Sequence, residues 1–448
     1  MKKCNLILAL FVCCSLSSIG QDTIKSLYDY SLEELMNIEV FSASKSVQKI
    51  TDAPATVYVV THEQIDQRGY SSLLDLFEDI PQIEVQRKAD SKTNEYITIN
   101  GVAGSTKFIL LMDGVRVNSA AGSENSVAYN YSIENVKQVE IILGPASALY
   151  GADAFSGIIN IVTMKGNEIN GVHVKGSYGA FNTSDNAITA GFGNKDASIA
   201  ITGKYYHSDE PFMPDYYPAE YSWYNNYKQA GEMKLYGNTV NVPIKPWSAS
   251  TNAYSVHVRA NLKNFEFGYS NHFESHSSSW SFTPDLAIFS KDAVWASLIQ
   301  NAYGTHSINL LNNRITLQTT ISAQSYKLEP NSNFDNEYGS YNPAYKYSKE
   351  LALKAEEEIS YNLNESHSFI GGLSYQYFNS IPKTPDMPYQ YDESIKPEDQ
   401  NIYFPGTNVT DMNGKDLTII QDIYNIKYSN FGSFLQYQGK LFNNFTIT

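Results

Sequence analysis

The second half of the chain is a series of short segments in which apolar and polar residues alternate. Segments such as ASIAITGKYYH (197–207), AYSVHVRANL (253–262) and FEFGYSNHFES (265–275) have the two-residue period of β-strands. Their connections alternate between short polar turns at 193–196, 262–264, 311–314, 362–366 and 442–444 and long links around 208–251, 276–290, 329–345 and 380–422. Because a long link follows each tight turn, the pattern predicts an antiparallel up-and-down sheet.

Long loops at only one end of a sheet are typical of a transmembrane β-barrel, because both ends of a soluble sandwich face water. In 197–207, two sets of residues alternate. The positions predicted to face lipid are Ile199, Ile201, Gly203 and Tyr205, and the polar positions predicted to face a lumen are Ser198, Thr202 and Lys204. The rings expected to form interfacial girdles are Tyr205, Tyr206, Tyr375, Tyr377 and Phe378. No apolar run after the N-terminus reaches the roughly 18 residues of a membrane helix. The sequence therefore predicts that any membrane role depends on strands.

Residues 1–20 have the layout of a secretory signal peptide, with Lys2 and Lys3 before an apolar run and small residues before Gln21. All three cysteines lie inside this segment, so the exported chain has no thiol for a disulfide, a metal site or a nucleophile. The formal net charge of -15 argues against a nucleic-acid partner. Neither G-x-S-x-G nor H-E-x-x-H occurs, so the sequence predicts no enzyme and no cofactor.

Residues 50–166 have the mixed signals of an α+β domain. Thr61 and Gln64 predict a capped helix that Gly69 ends, and a second helix is predicted from near Ser71 to Pro81. The stretch VEIILGPASALYGADAFSGIINIVT (139–163) puts small residues between two apolar strands. We expect its glycines to permit turns or close backbone approaches, with a positive φ at Gly151. The rival interpretation, a phosphate-binding loop, lacks the Gly-Lys-Ser/Thr sequence.

Several stretches between 50 and 166 resemble, in order, the N-terminal plug of TonB-dependent outer-membrane receptors. They are DAPATVYVV (52–60), GYSSLLDLFEDIPQIEV (69–85), ITINGV (97–102), FILLMDGVRVNS (108–119) and IENVKQ (133–138) with the small-residue stretch that follows it. The motif residues carried over as structural are Asp113, Gly114, Gly144, Pro145, Leu149, Tyr150, Gly151, Gly157 and Asn160. After the signal peptide at 1–20, the resemblance implies a periplasmic segment at 21–49, a plug at 50–166 and a partial transmembrane β-barrel at 167–448.

Two positions depart from the family pattern. Asn100 and Leu143 stand where the family often has arginines that pair with acidic residues of the barrel wall. Their replacement puts the plug–wall salt bridges in question for this chain. The chain has about 11 predicted strands, whereas receptors of this type close with about 22. We therefore expect a fragment or truncated product that does not form a heat-resistant barrel alone.

The stretch SLEELMNIEVFSASK (31–45) lies where the family keeps its TonB box. Ser31 and Glu34 predict a short capped helix, and extended character follows. The resemblance implies that this segment pairs edge-to-edge with a TonB-type periplasmic energy-coupling protein. The candidate residues are Ile38, Glu39, Val40, Phe41, Ser42, Ala43 and Ser44. The alternative interpretation is an ordinary linker with one strand-like run.

The stretch DYYPAEYSWYNNY (215–227) is rich in rings that could stack on a planar ligand. Its candidate ligand contacts are Tyr216, Tyr217, Trp223 and Tyr224, and the alternative is a self-packed loop. His272 and His276 share one face of a predicted strand near a loop, where solvated surface positions are the expectation and contact with a metal or haem iron is the alternative. No metal site is predicted.

The preferred functional hypothesis is an outer-membrane receptor that actively imports a scarce bulky nutrient, such as an iron–siderophore, cobalamin or haem-like ligand. A passive porin would not need a folded insert before its first strand. A surface-exposed binding receptor or adhesin without transport is the alternative. The predicted partners are the coupling protein, outer-membrane lipid and a small-molecule or chelate ligand.

Overall fold

The computed structural model describes residues 39–42, 48–50, 55–87, 95–119, 123–124, 126–151, 153–235, 237–280, 286–336, 341–364, 366–400, 423–441 and 445–447. The predicted signal peptide, the Ser31–Glu34 cap and three TonB-box candidates, Ile38, Ala43 and Ser44, lie outside these residues. Among the described residues, no helix combines the length and the apolar character needed to cross a bilayer.

The N-terminal domain combines small sheets with short helices. Its elements are β1 (Glu39–Val40), β2 (Gln48–Lys49), β3 (Thr56–Thr61), α1 (His62–Arg68), α2 (Leu73–Glu78), β4 (Ile83–Arg87), β5 (Glu95–Ile99), β6 (Val102–Ala103), β7 (Phe108–Met112), β8 (Val115–Arg116), β9 (Val136–Leu143), α3 (Ser147–Tyr150), β10 (Gly157–Thr163) and α4 (Gly166–Ile169). The central sheet has the order β3-β9-β10-β7-β8, and β4-β5-β6 and β1-β2 form two smaller sheets.

The first two helices begin at the residues that the sequence indicates. Thr61 caps α1 in a capping box with Gln64, and Gly69 ends that helix with a left-handed φ of 67°. Ser72 caps α2 with Asp75, one residue after the predicted start, and the helix ends before Pro81. Leu73, Leu74, Leu76 and Phe77 of α2 are buried against one face of the central sheet, so this packing forms the main core of the domain.

Among the described residues after α4, eleven antiparallel strands form a wall in chain order. Including the strands and helices of the long links, its elements are β11 (Gly171–Gly179), β12 (Thr183–Gly193), β13 (Ala197–Ser208), α5 (Met213–Tyr216), α6 (Tyr224–Ala230), β14 (Glu232–Leu235), β15 (Asn238–Asn241), β16 (Thr251–Leu262), β17 (Phe265–Ser277), β18 (Ser279–Trp280), β19 (Val294–Leu310), β20 (Ile315–Leu328), β21 (Asn333–Asn336), β22 (Asn342–Tyr345), β23 (Ser348–Asn364), β24 (His367–Ile381), a 3₁₀ turn (Pro397–Asp399), β25 (Ile426–Leu441) and β26 (Phe445–Ile447). From β13 onwards, short turns and long links alternate as predicted, whereas β11 and β12 are joined by residues 180–182 alone. Within the described residues β11 does not pair with β26, so the sheet is open.

The alternation predicted for β13 is confirmed. Ile199 and Ile201 are exposed on the outer face, whereas Thr202 and Lys204 are buried on the inner face. The girdle prediction is wrong for Tyr206 and Phe378, which are buried on the inner face. Successive residues of a strand point to opposite faces, so neighbours such as Tyr205 and Tyr206 cannot both face outwards.

The N-terminal domain lies against the inner face of the wall. Gln324 of β20 donates a hydrogen bond to the Asn118 carbonyl at 3.0 Å, and the Tyr326 hydroxyl donates one to the Glu124 carbonyl at 2.9 Å. Lys204 of β13 donates to the Ser71 carbonyl at 3.1 Å. These contacts join the domain to β13 and β20, which lie on either side of β19, the central strand of the wall.

Candidate ligand pocket and docked segment

One pocket lies between the N-terminal domain and the long-link end of the wall. It has a volume of about 390 Å³. Its lining residues are Leu74, Arg87 and Tyr129 of the domain and Phe181, Glu210, Pro211, Met213, Tyr216 and Tyr217 of the connections. We call it the external pocket. It combines rings with a few charged groups, as ligand sites do.

Arg87 lines the external pocket and is held by several polar contacts. Its guanidinium forms ion pairs with Asp75 at 2.6 Å and Glu78 at 2.8 Å, and donates to the Tyr129 hydroxyl at 3.2 Å. The Tyr129 ring stacks on Tyr206 of the wall, with centroids 3.9 Å apart and an interplanar angle of 2°. The inward orientation of Tyr206 therefore joins the domain to the wall beside this pocket.

The four predicted ligand-contact residues separate into two pairs. Tyr216 and Tyr217 line the external pocket and are 59% and 51% exposed. Trp223 and Tyr224 instead pack inside the long link, where Tyr224 lies edge-on to Trp247 at 5.8 Å. Tyr216 and Tyr217 are placed where they could stack on a ligand, whereas Trp223 and Tyr224 fit the self-packed alternative.

The solvated-surface expectation for His272 and His276 is wrong, because both are buried on the inner face of β17. Nδ1 of His272 is 2.9 Å from the Asn130 carbonyl, and its ring stacks on Tyr131. His276 lies 3.3 Å from the carboxylate of Glu274. Across the part of the chain that the structure describes, no group of three or more His, Cys, Asp or Glu residues could hold a metal ion.

A buried ion pair joins the N-terminal domain to the wall with a polarity opposite to the family pattern. The guanidinium of Arg259 in β16 contacts the Asp113 carboxylate at 2.7 Å and the Glu266 carboxylate at 2.9 Å. Burial raises the pKa of Asp113, but Arg259 and His257 outweigh burial and hold that pKa well below its usual range. Here the acid belongs to the domain and the guanidinium to the wall. The changes at Asn100 and Leu143 therefore do not leave the interface without a salt bridge.

The predicted motif residues surround the central sheet of the domain. Asp113 and Gly114 form the β7–β8 turn, where the Asn160 side chain accepts from the Gly114 amide at 3.1 Å. Gly151 ends α3 with φ 90° and ψ 178°, which other residues rarely adopt. The remaining five motif residues are Gly144 and Pro145 directly after β9, Leu149 and Tyr150 in α3, and Gly157 at the start of β10.

The four described TonB-box candidates, residues 39–42, pack on the opposite face of the central sheet from α2. We call them the docked segment. Val40 is only 1% exposed, and Phe41 lies against Gly114. The Tyr150 hydroxyl donates to the Ser42 carbonyl at 3.0 Å, and the buried carboxylate of Glu140 accepts from the Ser42 amide at 2.8 Å.

The docked segment lies toward the short-turn end of the wall. Phe41 and Tyr150 line a cavity that the wall closes with polar side chains, including Gln318 and Thr320 near the short turn at 311–314. The external pocket lies at the other end, beside Glu210 in the long link after β13. The two sites therefore flank the domain.

Comparisons with known proteins identify the N-terminal domain. Residues 49–158 match the family model described as the TonB-dependent Receptor Plug Domain. These residues are a TonB-dependent receptor plug. The vitamin B12 transporter BtuB of Vibrio vulnificus is 34% identical over 125 residues, 28% of this chain and 20% of the relative. The iron-regulated outer membrane virulence protein of Vibrio cholerae is 32% identical over 157 residues, 34% of this chain and 22% of the relative.

Solved structures show the same fold for plug and wall together. The pyoverdine outer membrane receptor FpvA of Pseudomonas aeruginosa matches with a TM-score of 0.59 and 12% identity, over 96% of this chain and 59% of that one. The ferric enterobactin receptor PfeA of Pseudomonas aeruginosa matches with a TM-score of 0.58 and 14% identity, over 89% and 56%. The chain has the fold of TonB-dependent outer-membrane receptors, lies in the outer membrane, and spans little more than half of these solved chains.

Sequence reasoning missed Glu140, Arg259, Arg87 and Tyr129. Arg259 carries a usable signal, because it is an arginine at an inward-facing position of a strand whose outer face is apolar. Glu140 interrupts the apolar run of β9, which also indicates a special contact. Arg87 and Tyr129 lie in stretches without such a pattern, so only the folded chain brings them together.

Proposed function

We propose that this chain belongs to a receptor that binds a scarce bulky nutrient at the external pocket and imports it with energy supplied through a TonB-type periplasmic protein. The observation that carries the proposal is the plug between two sites, with the external pocket at one end and the docked segment at the other. The relatives named above, a vitamin B12 transporter and an iron-regulated outer membrane protein, support cobalamin or an iron chelate as the ligand class. No enzymatic activity is proposed.

The external pocket favours a ligand with a flat apolar face and little negative charge where it meets the plug. Tyr216, Tyr217 and Phe181 supply rings for stacking. The single guanidinium of Arg87 is already paired with two carboxylates, and Glu210 adds another acid. A strongly anionic ligand would meet net negative charge at this position.

Deleting residues 38–44 should abolish energised uptake and leave ligand binding at the cell surface intact, because the binding pocket lies at the other end of the plug. The measurement is growth of a receptor-deletion strain, carrying the shortened or intact gene, on single sources of iron–siderophore, cobalamin or haem. Uptake that persists without residues 38–44 would show that they are not the TonB box. If the intact gene gives surface binding but no more growth than the receptor-deletion strain without it, the non-transporting receptor is favoured.

Replacing Tyr217 by alanine should weaken binding of the imported ligand roughly tenfold, because an aromatic contact in a binding pocket contributes more than most contacts. The matched control is Tyr389→Ala, which removes a more exposed ring (71% against 51% for Tyr217) from a different long link. Binding is measured as the ligand concentration that half-saturates intact cells. Equal affinities of the two variants would mean that Tyr217 does not contact the ligand.

A further inference from the structure

The docked segment is attached to the plug by its main chain. Its residues Glu39 and Val40 form β1, which pairs with Lys49 and Gln48 of β2. The Gln138 side chain donates to the Glu39 carbonyl at 2.9 Å, and the Tyr150 hydroxyl donates to the Ser42 carbonyl. The β1 edge that faces β2 and the Glu39 and Ser42 carbonyls are therefore already occupied.

Glu140 is the centre of this attachment. Its carboxylate, only 1% exposed, accepts from the Phe41 amide at 3.2 Å, from the Ser42 amide at 2.8 Å and from the Ser42 hydroxyl. Gln138 adds one more donor at 2.8 Å. Over the described part of the chain, no lysine, arginine or histidine forms an ion pair with Glu140. The docked segment thus supplies most of the donors that stabilise this buried charge.

We propose that Glu140 is a positioning residue that holds the docked segment in a closed state, from which the segment must be released before a partner strand can pair with it. This inference rests on the proposed function, in which residues 38–44 pair with the coupling protein. Amides of successive residues in a strand point to opposite edges, so a partner strand on either edge needs the Phe41 or the Ser42 amide, and Glu140 occupies both. Glu140 and the partner strand therefore compete for the same hydrogen-bond donors.

Release is feasible because a polar cavity adjoins the docked segment. Phe41 and Tyr150 line the cavity on the plug side, and Gln318, Thr320 and Gln324 line it on the wall side. Water entering from this cavity can replace the donors that Glu140 loses when the segment leaves. The free-energy difference between the closed state and the released state is then small enough for a pulling partner to overcome.

The test measures how often the docked segment opens without any ligand or coupling protein. Residues 21–448 contain no cysteine, so Val40→Cys gives this part of the chain a single thiol, which is buried in the segment. Any cysteine elsewhere in the full-length receptor is replaced by serine for this test. In the full-length receptor in outer-membrane vesicles, Glu140→Gln should raise the rate of maleimide labelling of this thiol at least about tenfold, because charge-assisted hydrogen bonds are lost. Glu84→Gln, an equal change at an exposed position of the plug, should leave the rate unchanged.

A second thiol separates release of the segment from unfolding of the plug. Val139→Cys lies on the same strand as Glu140 but on its opposite, fully buried face. The proposal requires that Glu140→Gln leave labelling of Val139→Cys unchanged. An unchanged rate at Val40→Cys, or equal increases at both thiols, would overturn it.

The same preparation keeps this inference distinct from the proposed function. If labelling of Val40→Cys rises as expected but the periplasmic domain of a TonB-type protein does not bind, TonB coupling fails while the role of Glu140 stands. If that domain binds equally to the parent and to Glu140→Gln while labelling is unchanged, the role of Glu140 fails while the coupling stands.

Discussion

Replacing Arg259 by methionine should destabilise the plug by about 3–5 kcal/mol, because the change leaves the Asp113 carboxylate buried without its main cation. Methionine keeps much of the side-chain length, so the loss is mainly electrostatic. The readout is the labelling rate of the Val139→Cys thiol, which reacts only when the plug opens. A loss of this size corresponds to an increase in labelling of roughly a hundredfold to a few thousandfold.

Two further variants test whether the buried charge of Asp113 causes the destabilisation by Arg259→Met. Arg68→Met breaks the exposed Arg68–Asp79 pair of the plug, and should change the opening free energy by at most about 1 kcal/mol. Adding Asp113→Asn to Arg259→Met removes the stranded charge and should recover part of the lost stability. An Arg259→Met variant that labels within tenfold of the parent would contradict a stabilising role for this ion pair.

The Arg259–Asp113 pair also explains why a motif comparison gave an incomplete account of the interface. The family pattern directs attention to guanidinium groups on the plug, and Asn100 and Leu143 lack them. An interface between plug and wall needs complementary charges, but either partner can carry the positive one. Side chains of β16 alternate between its two faces, and Arg259 lies on the inner face, so the wall supplies the cation.

Features set by local chemistry could be predicted from the sequence. The capping box at Thr61, the left-handed Gly69 and the alternating faces of β13 depend on neighbouring residues, and the structure has each of them. The alternation of short turns and long links also follows from local composition. Such features involve residues close in the chain, so a window of a few residues contains the necessary information.

Features set by distant contacts could not be predicted. Glu140 and Ser42 are 98 residues apart, and Asp113 and Arg259 are 146 apart. The Trp223 and Tyr224 rings gave the same sequence signal as Tyr216 and Tyr217, yet only the second pair lines the external pocket. The buried position of His272 likewise depends on the plug, whose Asn130 carbonyl and Tyr131 ring contact it.

Replacing Gly157 by valine should destabilise the plug by about 3 kcal/mol or more, because this position lies too close to the neighbouring strand for a side chain. A Cβ atom at Gly157 would lie 2.5 Å from the Ile142 carbonyl oxygen of β9. That oxygen belongs to the backbone, so it cannot move aside as a flexible side chain could. Strand β10 is paired with both β9 and β7, so moving it away from β9 would disturb the centre of the sheet.

The matched control for this prediction is Gly179→Val at the end of β11, where an added Cβ meets no atom within 4 Å. Both variants place the same branched residue in a strand, so a difference between them measures the close approach and not the conformational preference of valine. Labelling of Val139→Cys should rise at least about a hundredfold for Gly157→Val and stay near the parent rate for Gly179→Val. Equal rates for the two variants would mean that the sheet tolerates a side chain at Gly157. The small residues between β9 and β10 would then need an explanation other than close backbone packing.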